Sequence, residues 1–143
     1  MDTITREITV AAARTRVWEV ITRAEHVGRW FGEAGAEVDL RPGGRIVLDF
    51  GEHGIGYARV ERVEEPELFS FRWSRRRETE PEPGDETLVE FTLTETGEGT
   101  LVRVAESGFA SLTGDAAAYH RQNTEGWQHK MADLQRYLES VPA

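Results

Sequence analysis

Cysteine is absent from this 143-residue chain. That excludes disulfides and thiolate metal ligands from any account of it. No apolar run approaches the roughly 20 residues needed to span a bilayer as a helix, so a membrane is not an expected partner. Positive charge is scarce: 17 Lys and Arg stand against 26 Asp and Glu, for a net charge of −9. Such a field opposes a polyanion and argues against nucleic acid as a partner. Lysine occurs once, as Lys130, beside sixteen arginines, which reads as a compositional bias rather than a site. The opening residues Met1-Asp2-Thr3-Ile4-Thr5 lack the basic and apolar regions of a secretion signal. The expectation is a soluble, cytoplasmic protein. A Gly-x-Ser-x-Gly elbow, a phosphate loop and a dinucleotide fingerprint are all missing. His26, His53, His120 and His129 have no zinc-site spacing, so neither a metal nor a cofactor is expected.

What is present is one domain's worth of chain, expected to span residues 1–143 as a single unit. Ile4, Arg6, Ile8 and Val10 alternate with Thr5, Glu7 and Thr9 and predict a first strand. Ala11 to Ile21 has helical spacing, with Val17, Trp18, Val20 and Ile21 as its apolar face, and Thr22 to Trp30 reads as a second short helix. Six strands follow: Ala36 to Leu40, Arg45 to Phe50, Ile55 to Val63, Leu68 to Ser74, Leu88 to Glu95 and Thr100 to Glu106. The turns between them, such as Arg41-Pro42-Gly43-Gly44 and Thr96-Gly97-Glu98-Gly99, are short, which implies an antiparallel meander. Phe69, Phe71 and Trp73 share one face, while Arg59, Glu61, Arg72 and Glu90 belong to the other. An antiparallel sheet of this kind covers one face with helices and wets the other. The basic run Arg75-Arg76-Arg77 is followed at once by Glu78, Glu80, Glu82, Asp85 and Glu86, and reads as a solvated, self-paired loop.

The last thirty residues carry the most information. Asp115 is placed to cap a long helix. Trp127, Met131, Leu134, Leu138 and Val141 recur at helical spacing as one apolar stripe. Extended backwards, the stripe meets Asn123 and then Tyr119 or His120. A line that turns from apolar to polar within one helix implies a closed core at one end and a cavity at the other.

Several segments together resemble the START-like (SRPBCC) superfamily, in the branch related to the C-terminal domain of activators of heat shock protein 90 ATPase. They are Val17-Trp18-Glu19-Val20-Ile21-Thr22 with Trp30-Phe31, Pro42-Gly43-Gly44-Arg45, Gly56-Tyr57-Ala58-Arg59-Val60, Glu65-Pro66-Glu67-Leu68-Phe69-Ser70-Phe71-Arg72-Trp73, Gly99-Thr100-Leu101-Val102-Arg103-Val104 and Gly126-Trp127. The resemblance implies an α+β helix-grip fold, in which a curved antiparallel sheet of about seven strands and two short helices wraps a long C-terminal helix. It also implies a cavity between sheet and helix, and a link to a chaperone. Fold alone does not give the activity.

The candidate cavity lining is Trp30, Phe31, Phe50, Phe71, Trp73, Phe91, Trp127 and Met131, with plain core packing as the alternative for each. Tyr119, His120 and Asn123 are candidates for orienting a ligand by hydrogen bonds, with a frayed, exposed first helical turn as the alternative. Glu106 falls on the same strand face as Val102 and Val104. Buried there, it has its neutral form favoured and is the one weak candidate for an acid or base; solvated beyond the strand end, it is neither. Phe109 and Leu112 are expected to fold over the entrance as a lid, or else to dock on the core. The mouth is expected at Gly32 to Gly35, Gly51 to Gly54 and Ser107 to Gly114. The leading expectation is non-catalytic binding of a small apolar or amphipathic molecule, such as a lipid, polyketide or aromatic metabolite. The alternatives are a cyclase or hydrolase using Glu106, and a chaperone-associated interaction module.

Overall fold

Alternating apolar residues become strands wherever short turns let them pair. The computed structural model describes residues 2–140. It contains β1 (Thr3–Val10), β2 (Ala36–Val38), β3 (Arg45–Asp49), β4 (Ile55–Glu64), β5 (Leu68–Ser74), β6 (Glu86–Thr96) and β7 (Gly99–Ser107). All pair antiparallel in one seven-stranded curved sheet of order β1-β7-β6-β5-β4-β3-β2. The first strand thus lies beside the last, with Ile4 opposite Glu106 and Val10 opposite Thr100. Between β1 and β2 the chain passes from one edge of the sheet to the other through α1 (Arg14–Thr22) and α2 (Ala24–Val27). The long helix α3 (Ala116–Ser140) closes the chain. This is the expected helix-grip arrangement.

The second short helix differs from the expected Thr22 to Trp30. Thr22 Oγ1 donates back to the Trp18 carbonyl at 2.7 Å, a bond that competes with continued helix, and Arg23 is extended. Four residues of α2 then run into a wide π-type turn, Gly28–Gly32. Gly28 is required there: a Cβ would sit 2.8 Å from the backbone of Gly35 and Ala36. The wide turn points the adjacent Trp30 and Phe31 into the interior together, which a regular helix with its 100° step does less well. The first helix starts at Arg14 rather than Ala11, and β2 stops at Val38, leaving Leu40 as the exposed large apolar side chain among the described residues.

One sheet face is the core. Leu48, Val60, Phe71, Val89, Phe91, Val102 and Val104 are fully buried on it. On α3 the stripe Trp127, Met131 and Leu134 is buried and Leu138 packs partly against the core; Val141 lies outside the described residues. The other sheet face carries ion pairs such as Arg72–Glu61 at 2.6 Å and Arg59–Glu86 at 3.4 Å. These are exposed enough to add little stability.

Candidate ligand cavity

Between α3, from Tyr119 to Lys130, and β5, β7 and the segment after β5 lies a cavity of about 660 Å³, within the range of about 300–1,000 Å³ usual for small-molecule sites. Asp115 caps the helix as expected, its Oδ1 accepting the Ala118 N–H at 3.0 Å. The apolar wall is four rings. Phe31 stacks on Trp73 at 5.9 Å between centroids and leans on Trp127 at 5.6 Å, while Phe50 meets Trp73 edge-on at 6.3 Å. Gly126 lies on the helix wall, and a Cβ built there meets nothing within 4 Å. Close approach to the sheet therefore does not account for this glycine.

Glu106 sits at the cavity's inner end, inside β7 and 1 % exposed. The alternative in which the strand has ended before it is therefore corrected. Its carboxylate accepts from Thr87 Oγ1 at 2.5 Å, from Asn123 Nδ2 at 2.9 and 3.0 Å, and from Trp127 Nε1 at 2.9 Å. Two of these donors belong to α3, so the carboxylate ties helix to sheet. Burial pushes its pKa up; the hydrogen bonds from Thr87, Trp127 and Asn123 oppose the shift. Tyr119 lines the cavity beside it. Burial, then the nearby Glu106 carboxylate, pushes the phenol up to about 12, so it is neutral and able to donate.

The outer wall is cationic. Past the end of β5 the chain bends and turns, and three consecutive residues, Arg75, Arg76 and Arg77, line the cavity. Asp85 neutralises two of these: its carboxylate meets Arg75 at 2.7 Å and Arg76 at 3.1 Å. The hydrogen bond from Arg76, with the charge of both guanidiniums, holds the Asp85 carboxyl below its usual range. Arg77 lies over the Phe50 ring at 4.5 Å. His53, Gln122 and Lys130 complete the lining, Lys130 being 3.7 Å from Glu33.

Of the sequence candidates, Phe31, Phe50, Trp73, Glu106, Tyr119, Asn123 and Trp127 are brought together around the cavity. Trp30, Phe71, Phe91 and Met131 are packed in the core instead, Trp30 with its N–H on the Val20 carbonyl at 2.9 Å. Phe109 is 2 % exposed and packs on His120 at 4.9 Å and Tyr119 at 5.9 Å; Leu112 is buried as well. Both are docked on the core and not over the mouth. Among the expected mouth segments only the tip at His53 reaches the cavity. Missed were the three arginines, Gln122 and Lys130. No strand alternation could have found the arginines, which follow the end of β5 in bends and turns; the signal for Gln122 and Lys130 was the helical steps through Gly126.

The family model for Activator of Hsp90 ATPase homolog 1-like protein matches residues 11–139. A protein from Mesorhizobium loti has a similar structure, with a TM-score of 0.82, 22% identity and 99% of each chain covered. DynU16, a protein in the dynemicin biosynthetic locus, is similar with a TM-score of 0.76 and 29% identity, over 98% of this chain and 48% of that one. The Aha1 dimer from Colwellia psychrerythraea is similar with a TM-score of 0.78 and 19% identity, over the whole of both chains. No curated protein matches this chain.

Proposed function

The chain belongs to the Activator of Hsp90 ATPase homolog 1-like family, and within it we propose that this member binds a small amphipathic molecule between the sheet and α3. The observation that carries this reading is the cavity of about 660 Å³ with four aromatic rings and Gly126 in its walls. A helix selected only to close a core has no use for a glycine whose Cβ would touch nothing, since mid-helix glycine costs about 1 kcal/mol relative to alanine. Affinity comes mainly from apolar ligand surface, at roughly 25 cal/mol per Å² before the costs of association. The polar groups Tyr119, Asn123 and Glu106 set orientation. The likeness to DynU16, a protein of a biosynthetic locus, supports a small organic molecule as the ligand.

A chaperone-associated module needs an exposed apolar patch of more than a few hundred Å². Among the described residues the large apolar side chain exposed is Leu40, which supports the small-molecule reading over that one. A cyclase or hydrolase reading draws on Glu106, whose buried carboxyl lines the cavity. Its oxygens are already engaged by Thr87, Asn123 and Trp127, which favours anchoring over proton transfer.

The test is a thermal-shift and NMR screen of lipids, flavonoids and polyketides against the native protein and Gly126→Phe. A ligand should perturb the Trp73 and Trp127 indole signals in the native protein and fail to do so where phenylalanine fills the space. Failure of every class to move those signals overturns the binding reading.

A further inference from the structure

The cavity has two chemically opposite ends, and they specify more than an amphipathic ligand. The inner end holds Glu106, whose lone pairs are met by fixed donors on Thr87, Asn123 and Trp127. A second carboxylate there would be repelled. The outer end holds four cationic side chains in a protein whose net charge is −9. Three of the four are already partnered: Arg75 and Arg76 by Asp85, and Lys130 by Glu33. Arg77 differs. Its guanidinium lies over the Phe50 ring, 4.5 Å from the centroid, and is paired with no carboxylate among the described residues.

Arg77 is exposed, and the turn that carries it is fixed by its neighbours. The next residue, Glu78, donates its N–H to the Ile55 carbonyl at 2.8 Å and accepts the Ile55 N–H on its side chain. One oxygen of the acid beside Arg77 is thereby held on backbone rather than on the guanidinium. Gly54, at φ +94°, lets the Arg77 stem lie against the hairpin tip: a Cβ there would be 3.6 Å from Arg77 Cβ and 2.9 Å from the Glu78 carboxylate. With no carboxylate partner, the Arg77 N–H groups are available to a ligand, and a guanidinium matches a carboxylate in two parallel hydrogen bonds.

Resting on the binding reading above, we propose that the ligand is a monoanionic amphiphile, a carboxylic acid with an aromatic or aliphatic body, bound with its acid on Arg77 at the mouth and its body against Phe31, Trp73 and Trp127. A dianionic phosphate fits less well, because the second free cation it needs is already occupied. The neutral Tyr119 hydroxyl, on the same cavity wall, supplies a donor for the acid or for a ligand hydroxyl.

The experiment compares matched sets on two bodies, 2-naphthyl and n-decyl, each as the carboxylic acid, the primary amide, the amine and the phosphate monoester. Binding is read by tryptophan fluorescence and calorimetry. The acid should bind about five- to tenfold more tightly than the amide, as one charge-assisted contact at a partly exposed site allows. Arg77→Gln should bring the acid down to the amide's affinity and leave the amide unchanged; Arg77→Lys should recover part of the difference. Arg103→Gln, on the outer face beside Glu7, should change neither. Equal binding of acid and amide, or no effect of Arg77→Gln, overturns the acid assignment and leaves the cavity reading standing. Preference for the amine or the phosphate also overturns it. If no member of either set binds, both readings fall together.

Discussion

At Glu106 two effects oppose each other. Burial penalises the charged carboxylate, while the indole N–H of Trp127 and the amide of Asn123 favour it. Burial is the larger, so the folded-state pKa stands above the ordinary value of 4.5. A group raised in this way contributes its full stability below about pH 4.5 and loses it as pH rises through the raised pKa. Glu106→Gln removes the titration while keeping the shape, with its Oε1 toward Trp127 and its Nε2 toward the Thr87 hydroxyl. The difference in Tm, native minus Glu106→Gln, should therefore fall as pH climbs from 4.5 toward neutrality, measured by calorimetry across that range. A difference that is flat or rises with pH would mean that the hydrogen bonds outweigh desolvation. Glu106→Leu should be worse than Glu106→Gln at every pH. It strands the buried Asn123 and Trp127 donors, at about 1–3 kcal/mol for each group left unsatisfied.

Among the elements, α3 is the one whose two halves do different work, and Gly126 stands at their junction. Gly126→Ala adds a methyl to open space and removes the helix penalty of glycine, so it should stabilise by about 1 kcal/mol, or about 3–5 °C in Tm. A loss of stability on thermal melting would show that the helix wall is closer to the sheet than described. The division of this helix was legible in sequence because Trp127, Met131 and Leu134 share a face with Asn123 and Tyr119. Strand alternation was legible for the same reason; it set Glu106 on the inward face but left open whether the strand had ended before it, which only the pairing with β1 and β6 decides. The π-type turn Gly28–Gly32 was not, because its cause is an approach of Gly28 to Gly35 and Ala36 that no local periodicity encodes. The three arginines were half legible. Their charge pattern predicts pairing, and Arg75 and Arg76 do pair with Asp85. That Arg77 stays unpaired depends on Glu78 being drawn onto Ile55 across a hairpin. The lid expected from Phe109 and Leu112 failed because apolar residues in a loop can dock as well as cover. Asp2 braces the docked arrangement, accepting the N–H groups of Gly108 and Ala110.

Over the whole molecule, the pairing of β1 with β7 closes the sheet edge that local turns leave open. No turn joins those strands, so the meander was legible and this contact was not. It gives the closed end of the fold its rigidity, since α3 packs along β1. There Leu134 is fully buried, and Leu134→Ala should cost about 2–5 kcal/mol. The open end has a cavity in place of those contacts, and stability within one domain need not be uniform. Amide hydrogen exchange should follow that gradient. Amides of residues 119–124 should exchange by local opening, faster than those of residues 127–138, because Tyr119 and Asn123 face the cavity whereas Trp127, Met131 and Leu134 face packed core. The loop at residues 107–114 should stay protected at Gly108, Ala110 and Thr113 in the empty protein, their N–H groups being held by Asp2 and by the Gly84 carbonyl. A ligand that fills the cavity supplies the missing contacts and stabilises the folded state by mass action, about 2.7 kcal/mol at a hundredfold excess over Kd. Its added protection should appear first at residues 119–124 and at residues 75–78, with little change at residues 107–114. Uniform protection along α3 without ligand would show that the helix is braced over its full length, and the cavity would then be a rigid slot rather than a site that tightens on its ligand.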